Sequence, residues 1–206
     1  IREIVEVCLE NGVFILSDEI YEHLLYGGAS HLSPASLSPE AFARTITVGG
    51  FSKTFSMTGW RLGTMVAPAE IASAVASIQS QTTSNATTFA QYGALAALRD
   101  WERSRQAIDN MLAVFERRRS RMLEGLAAID GIQCHPSEGA FYLFPDVSSF
   151  GLGVDAFAER LLEEKLVAVV PGTGFGSSSG IRLSYATADD VIDRGLERVA
   201  DFCRGL

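Results

Sequence analysis

Apolar residues recur at helical spacing in residues 2–10, through Ile4, Val5, Cys8 and Leu9, and Asn11-Gly12 follows as a helix stop. Residues 13–16 are a short apolar run that ends at Ser17-Asp18-Glu19. That is the pattern of a buried parallel strand with polar groups at its carboxyl end. Residues 27–39 are rich in Gly, Ser and Pro and read as a loop. Residues 44–48 and 62–67 predict two more strands, the first followed by Gly49-Gly50 and the second ended by Pro68. Helical patterns then cover 69–79, 87–98 and a long stretch, 100–128.

After Gly131 the period shortens. Strands are predicted over 132–135, 140–144, 167–170 and 181–185, with helices over 154–165 and 188–204. The expectation is an α/β domain over residues 1–125, including the start of a long connecting helix, and a smaller α+β domain over 126–206. The chain opens on Ile1 with a helix already under way, which reads as a piece of a longer protein.

Composition narrows the function classes. With 17 basic and 25 acidic residues the net charge is −8, which disfavours nucleic acid and anionic membranes as partners. No apolar run is long enough to span a bilayer. Cys8, Cys134 and Cys203 are isolated, without disulfide or zinc spacing, so a reducing cytoplasm is the default location. No metal site is expected.

In open α/β sheets, ligands bind beyond the carboxyl ends of the strands. Polar clusters fall there at Ser17–Tyr21, Gly49–Thr54 and Met57–Gly63. A P-loop reading of the second fails, because Ser52 stands where that motif needs glycine before the lysine. Lys53, Asp18, Tyr21 and Arg61 together offer an amine, a carboxylate, a phenol and a guanidinium. An amine can bond an aldehyde, a carboxylate can keep a pyridine nitrogen protonated, and a guanidinium forks onto phosphate. Taken singly, Asp18 could be a helix cap, Tyr21 a core residue and Arg61 a surface ion pair. Trp60 reads as a packing residue, and His23, His31 and His135 as structural or solvated. The basic run from Arg117 to Arg121 reads as the solvated face of the long helix, and Pro171 to Gly176 as a turn-rich loop.

The segment GGFSKTFSMTGWRLG, Gly49 to Gly63, resembles the lysine signature of class I aminotransferases of the pyridoxal-phosphate (PLP) fold type I. SDEIYEHLLY upstream resembles that family's Asp-x-x-Tyr element, and VVPGTGFG and IRLSYA resemble its small-domain segments. The likeness runs the length of the chain and is closest to the aspartate and aromatic aminotransferase subgroup. It implies an α/β fold: part of a PLP-dependent transferase large domain, with a mostly parallel sheet, followed by a small α+β C-terminal domain.

It also implies roles. Lys53 would form the Schiff base with pyridoxal 5′-phosphate and shuttle the substrate proton. Asp18 would pair with the pyridine nitrogen, Tyr21 would hold the phenolate oxygen, and Arg61 would bind phosphate. Arg182 would clamp the substrate α-carboxylate. Many relatives carry serine three residues before the lysine, where this chain has Gly50, so Ser52 or the Gly50 N–H would have to replace that phosphate contact. The implied reaction is transamination between an amino acid and a 2-oxo acid, in a homodimer. Other reactions use the same residues on the same fold, among them C–S β-elimination and cyclopropane formation, and an inactive assembly subunit is a further alternative. The family's glycine-rich phosphate loop and ring-stacking aromatic precede the Asp-x-x-Tyr element, so this chain corresponds to the C-terminal half and is expected to need the other half. By the same comparison, a missing strand should separate the first strand from the second.

Overall fold

The computed structural model describes all 206 residues. They divide into two compact units, Ile1–Asn110 and Met111–Leu206. The division falls inside the long helix α5, Trp101–Ala127, the helix that also contains the expected boundary near residue 125.

The first unit contains α1 (Arg2–Glu10), β1 (Ile15–Asp18), α2 (Pro39–Phe42), β2 (Thr45–Gly50), β3 (Gly63–Val66), α3 (Ala69–Thr82), α4 (Thr88–Arg99) and the beginning of α5. The strands form one three-stranded sheet in the order β1-β2-β3. β1 lies parallel to β2, with Ile15 opposite Thr45 and Asp18 opposite Val48. β3 returns antiparallel, with Thr47 opposite Val66 and Gly50 opposite Gly63.

Two expectations are corrected here. No strand separates β1 from β2. The Ile15 N–H donates to Arg44 O at 2.9 Å and the Glu19 N–H to Val48 O at 2.7 Å, so the ladder is closed at both ends. β1 also begins two residues later than the apolar run suggested. The Val13 N–H is taken by Cys8 O at 2.8 Å as the chain leaves α1, and Val13 and Phe14 are about half exposed. The shift makes Asp18 the last residue of the strand rather than part of the loop after it.

The second unit holds the rest of α5, then β4 (Tyr142–Leu143), α6 (Val154–Lys165), β5 (Val170–Pro171), β6 (Ile181–Ser184) and α7 (Asp189–Arg204). Its antiparallel sheet has the order β4-β6-β5. The core is built from Leu143, Val147, Phe157, Leu161, Ile181, Tyr185, Val199 and Phe202, all 1% exposed or less except Phe202 at 2%. Phe157 and Phe202 meet edge to face with centroids 5.1 Å apart, locking α6 to α7. In α7 the buried positions Ile192, Val199, Phe202 and Cys203 lie along one helical stripe.

The strand expected over 132–135 is reduced to one bridge, Gln133 opposite Asp146. Pro136 follows closely and has no N–H to extend a ladder. The strand expected over 167–170 appears only as Val170–Pro171, after the left-handed turn at Leu166 (φ 56°) that ends α6. The basic run of α5 is solvent-exposed at Arg117 and Arg121, yet its arginines are hydrogen-bonded. Arg118 Nε donates to Asp189 at 2.6 Å, Arg121 Nε to Asp193 at 2.5 Å and Arg119 Nε to Ser137 O at 2.6 Å. These side chains tie α5 to the first two turns of α7. No helix is long and apolar enough to cross a membrane.

Candidate active site

Because β1 and β2 are parallel, their carboxyl ends lie side by side. Asp18 ends β1 with an exposed side chain, and its Oδ1 accepts the Ile20 N–H at 3.1 Å. This Asx turn bends the chain sharply. The bend continues as the Glu22 N–H donates to Glu19 O and the Leu24 N–H to Tyr21 O. Tyr21 is carried back toward the end of β2.

The chain leaves β2 at Gly50 and coils at once. The Phe55 and Met57 N–H groups both donate to Phe51 O, and the Ser56 N–H donates to Lys53 O. Phe51 and Thr54 are buried, so Ser52 and Lys53 between them are fixed on the open side of the coil, half-buried. Lys53 Nζ lies 5.9 Å from the centre of the Tyr21 ring, within cation–π range. Two non-glycine residues downstream adopt left-handed backbone, Ser56 (φ 53°) and Arg61 (φ 54°). Such strained residues cluster at functional sites. The Arg61 side chain is exposed, with Nη1 donating to Thr58 O at 3.0 Å.

The structure therefore brings Lys53 and Tyr21 together and sets Asp18 at the end of the neighbouring strand. Ser52 is on the same coil as Lys53, and Arg61 is on the following turn. Arg182 belongs to the second unit. On β6 its neighbours Ile181 and Leu183 are buried, so its side chain projects from the opposite face. There the guanidinium carbon sits 4.4 Å from the Tyr142 ring centre and 4.7 Å from that of Phe175. The guanidinium is within cation–π range of both rings.

One residue of the site was not anticipated. Glu19, next to Asp18, is 6% exposed. Its Oε2 is 2.8 Å from His31 Nε2, and its Oε1 accepts from Ser33 Oγ at 2.7 Å. Burial pushes this carboxyl up, but hydrogen bonds from His31, Ser33 and Ser17, with the His31 charge, carry it below the usual range. Alternation along β1 was the only available signal, since it turns Glu19 away from Asp18 toward the side of Ser17. Its partner is in a loop 12 residues on, which no local pattern reveals. Glu19, Glu22 and His31 bring three possible metal-ligand atoms within 4.8 Å, yet both Glu19 oxygens are already committed to His31 and Ser33.

Comparison with known proteins identifies the family. Residues 1–199 match the family model for aminotransferase class I and II. A probable aspartate/prephenate aminotransferase of Aquifex aeolicus is 48% identical over 202 residues, 97% of this chain and 51% of that protein. The aspartate aminotransferase of Geobacillus stearothermophilus is 45% identical, covering 96% of this chain and 51% of its own. Among solved structures, the aromatic aminotransferase from Pyrococcus horikoshii superimposes with a TM-score of 0.94 at 41% identity, over 99% of this chain and 54% of that one. The chain spans about half the length of the relatives it matches. It belongs to the class I and II aminotransferases, a family of pyridoxal-phosphate-dependent enzymes.

Proposed function

We propose that this chain carries the lysine-bearing half of the active site of an aminotransferase that moves an amino group between an amino acid and a 2-oxo acid. The observation that supports this most directly is Lys53 Nζ facing the Tyr21 ring at 5.9 Å, beside the strand end that carries Asp18. Amine, phenol and carboxylate at one sheet end, with a guanidinium on the next turn, are the donor set that a phosphorylated pyridine aldehyde requires.

When bound, pyridoxal phosphate supplies an electron sink that makes the substrate Cα–H acidic. Lys53 would be the amine that holds the cofactor aldehyde, and as a free amine it would be the group that moves the substrate Cα proton. Asp18 would keep the ring nitrogen protonated, and Tyr21 would donate to the phenolate oxygen. Arg61 and Ser52 would hold the phosphate. Arg182, which lies against the Tyr142 and Phe175 rings, would receive the α-carboxylate. The names of the relatives make aspartate and aromatic amino acids the first substrates to assay.

Activity in this reading needs more polypeptide than the 206 residues. Unit 1 leaves Leu16 at 71%, Val66 at 57%, Phe89 at 71% and Tyr92 at 69% exposure, an apolar surface that suits cover by the rest of an aminotransferase chain or by a second subunit in a homodimer. The chain alone is expected to bind the cofactor weakly and turn over slowly.

Borohydride reduction of the chain with pyridoxal phosphate, followed by peptide mass mapping, tests the assignment. The expected result is one phosphopyridoxyl group on Lys53, absent from Lys53→Ala. No label, or label only on Lys165, overturns the reading. In an active assembly, product analysis should show a new amino acid and a 2-oxo acid, not pyruvate and ammonia.

A further inference from the structure

Glu19 is the only Asp, Glu, Lys or Arg that is buried in the chain. A buried carboxylate is costly unless its oxygens are satisfied. Here both are, by His31 and Ser33, while the Glu19 N–H donates to Val48 O. Side chain and backbone are thus anchored on different elements. The backbone is pinned to β2, and the carboxylate is pinned to the segment that enters the 3-10 turn Pro34–Ser36.

We infer that Glu19, clamped by His31 and Ser33, is a positioning residue that fixes the Asp18–Tyr21 turn and so the aim of both side chains. The inference rests on the reading that Asp18 and Tyr21 face the cofactor. The only side-chain anchor seen for Asp18 itself is its bond to Ile20 N, which holds one carboxylate oxygen within its own turn. Such a bond sets local shape but does not tie that shape to the sheet. Glu19 supplies the tie. It follows Asp18 directly and points to the opposite side, so any rotation of the Asp18 peptide must move the Glu19 side chain out of its clamp. The Glu19 carbonyl also accepts the Glu22 N–H at 3.0 Å, closing the turn that presents Tyr21.

The role predicts a local effect. Four variants decide it: Glu19→Ala, Glu19→Gln, His31→Leu and His31→Gln. In the cofactor-free chain, amide hydrogen exchange at Ile20 to Leu24 should quicken about tenfold in Glu19→Ala and His31→Leu, with β2 and the second unit unchanged. Glu19→Gln should fall between wild type and Glu19→Ala. His31→Gln should recover most of the protection, because its amide can donate where the imidazole did. With pyridoxal phosphate, the pH midpoint of the Lys53-dependent absorbance band should shift in Glu19→Ala and return in His31→Gln. Unchanged local exchange overturns the inference. So does a uniform rise across the chain, which marks a merely structural residue, or altered exchange with an unmoved pH midpoint. A wild-type chain without any Lys53-dependent band defeats the proposed function instead, and the exchange measurement still decides whether Glu19 holds the turn.

Discussion

Gly50 faces Gly63 across the β2–β3 ladder, so closely that a methyl group on Gly50 would lie 3.1 Å from the Gly63 Cα. The same methyl would meet Leu62 O at 3.0 Å and Ile20 Cδ1 at 3.2 Å. Two of these three neighbours are backbone and cannot rotate away. Gly50→Ser is therefore expected to destabilise the chain by about 1–3 kcal/mol, the usual cost of overpacking. Gly49→Ala is the control, since its nearest neighbour is Thr64 Oγ1 at 3.4 Å. Urea unfolding of both variants checks this, and equal midpoints would contradict it. At Gly50 a Cβ would require Leu62 O, the Gly63 Cα and Ile20 to give by a few tenths of an ångström.

The aromatic rings around Arg182 make a second prediction. Each ring contributes about 0.5–2 kcal/mol if its cation–π contact resembles measured ones. In a transaminating enzyme, Phe175→Leu and Tyr142→Leu should each raise KM for the amino acid by about 2- to 10-fold while changing kcat less. Steady-state kinetics separates the two constants. A fall in kcat with KM unchanged would place the rings elsewhere in the reaction.

Acid should expose the Glu19 clamp. Its carboxyl lies below the usual 4.5 in the folded chain, because hydrogen bonds from His31, Ser33 and Ser17 outweigh burial. A group with a lowered folded pKa contributes stability in full above its unfolded pKa and loses it as pH falls through the folded value. The stability difference between wild type and Glu19→Gln is expected to shrink as pH drops below 4.5. Chemical denaturation at a series of pH values measures it. A difference that grows as pH falls below 4.5 would show that the sign is wrong.

Thiol reactivity offers a further check. Burial pushes Cys203 up to about 11, and it lies in the α7 stripe beside Phe202. Thiolate is the reacting form, so Cys203 should resist a disulfide reagent at pH 8 until the second unit unfolds. Cys8, half-exposed on α1, should label in the native chain. Mass-mapped labelling with and without urea distinguishes them.

Much of this was legible in the sequence where a single segment decides its own shape. Helix α6 runs Val154–Lys165 as its spacing predicts, and α5 differs from the expected 100–128 by one residue at each end. Lys53 and Tyr21 also come together as their motifs suggest. Features that depend on two distant segments were hidden. The end of α1 takes the Val13 N–H and delays β1. A lone bridge replaces the 132–135 strand because its partner offers only Asp146. The basic run on α5 is exposed as its composition suggests, but its pairing with Asp189 and Asp193 depends on α7. Glu19 and His31 find each other only once the loop has folded back.

The four-rung parallel pairing of β1 with β2 carries one more consequence. Side chains alternate along a strand, so slippage by a single residue would exchange the surroundings of Asp18 and Glu19. Both are carboxylates, and net charge would not change. The slipped chain would still be a compact α/β protein. It would present Glu19 outward, one methylene longer, and drive Asp18 toward His31. Misfolding of this kind escapes detection by composition, charge or secondary-structure content, and would show only in local probes of the Asp18–Tyr21 turn or in the cofactor band. The clamp on Glu19 penalises that slip, because His31 and Ser33 are spaced to receive the longer side chain.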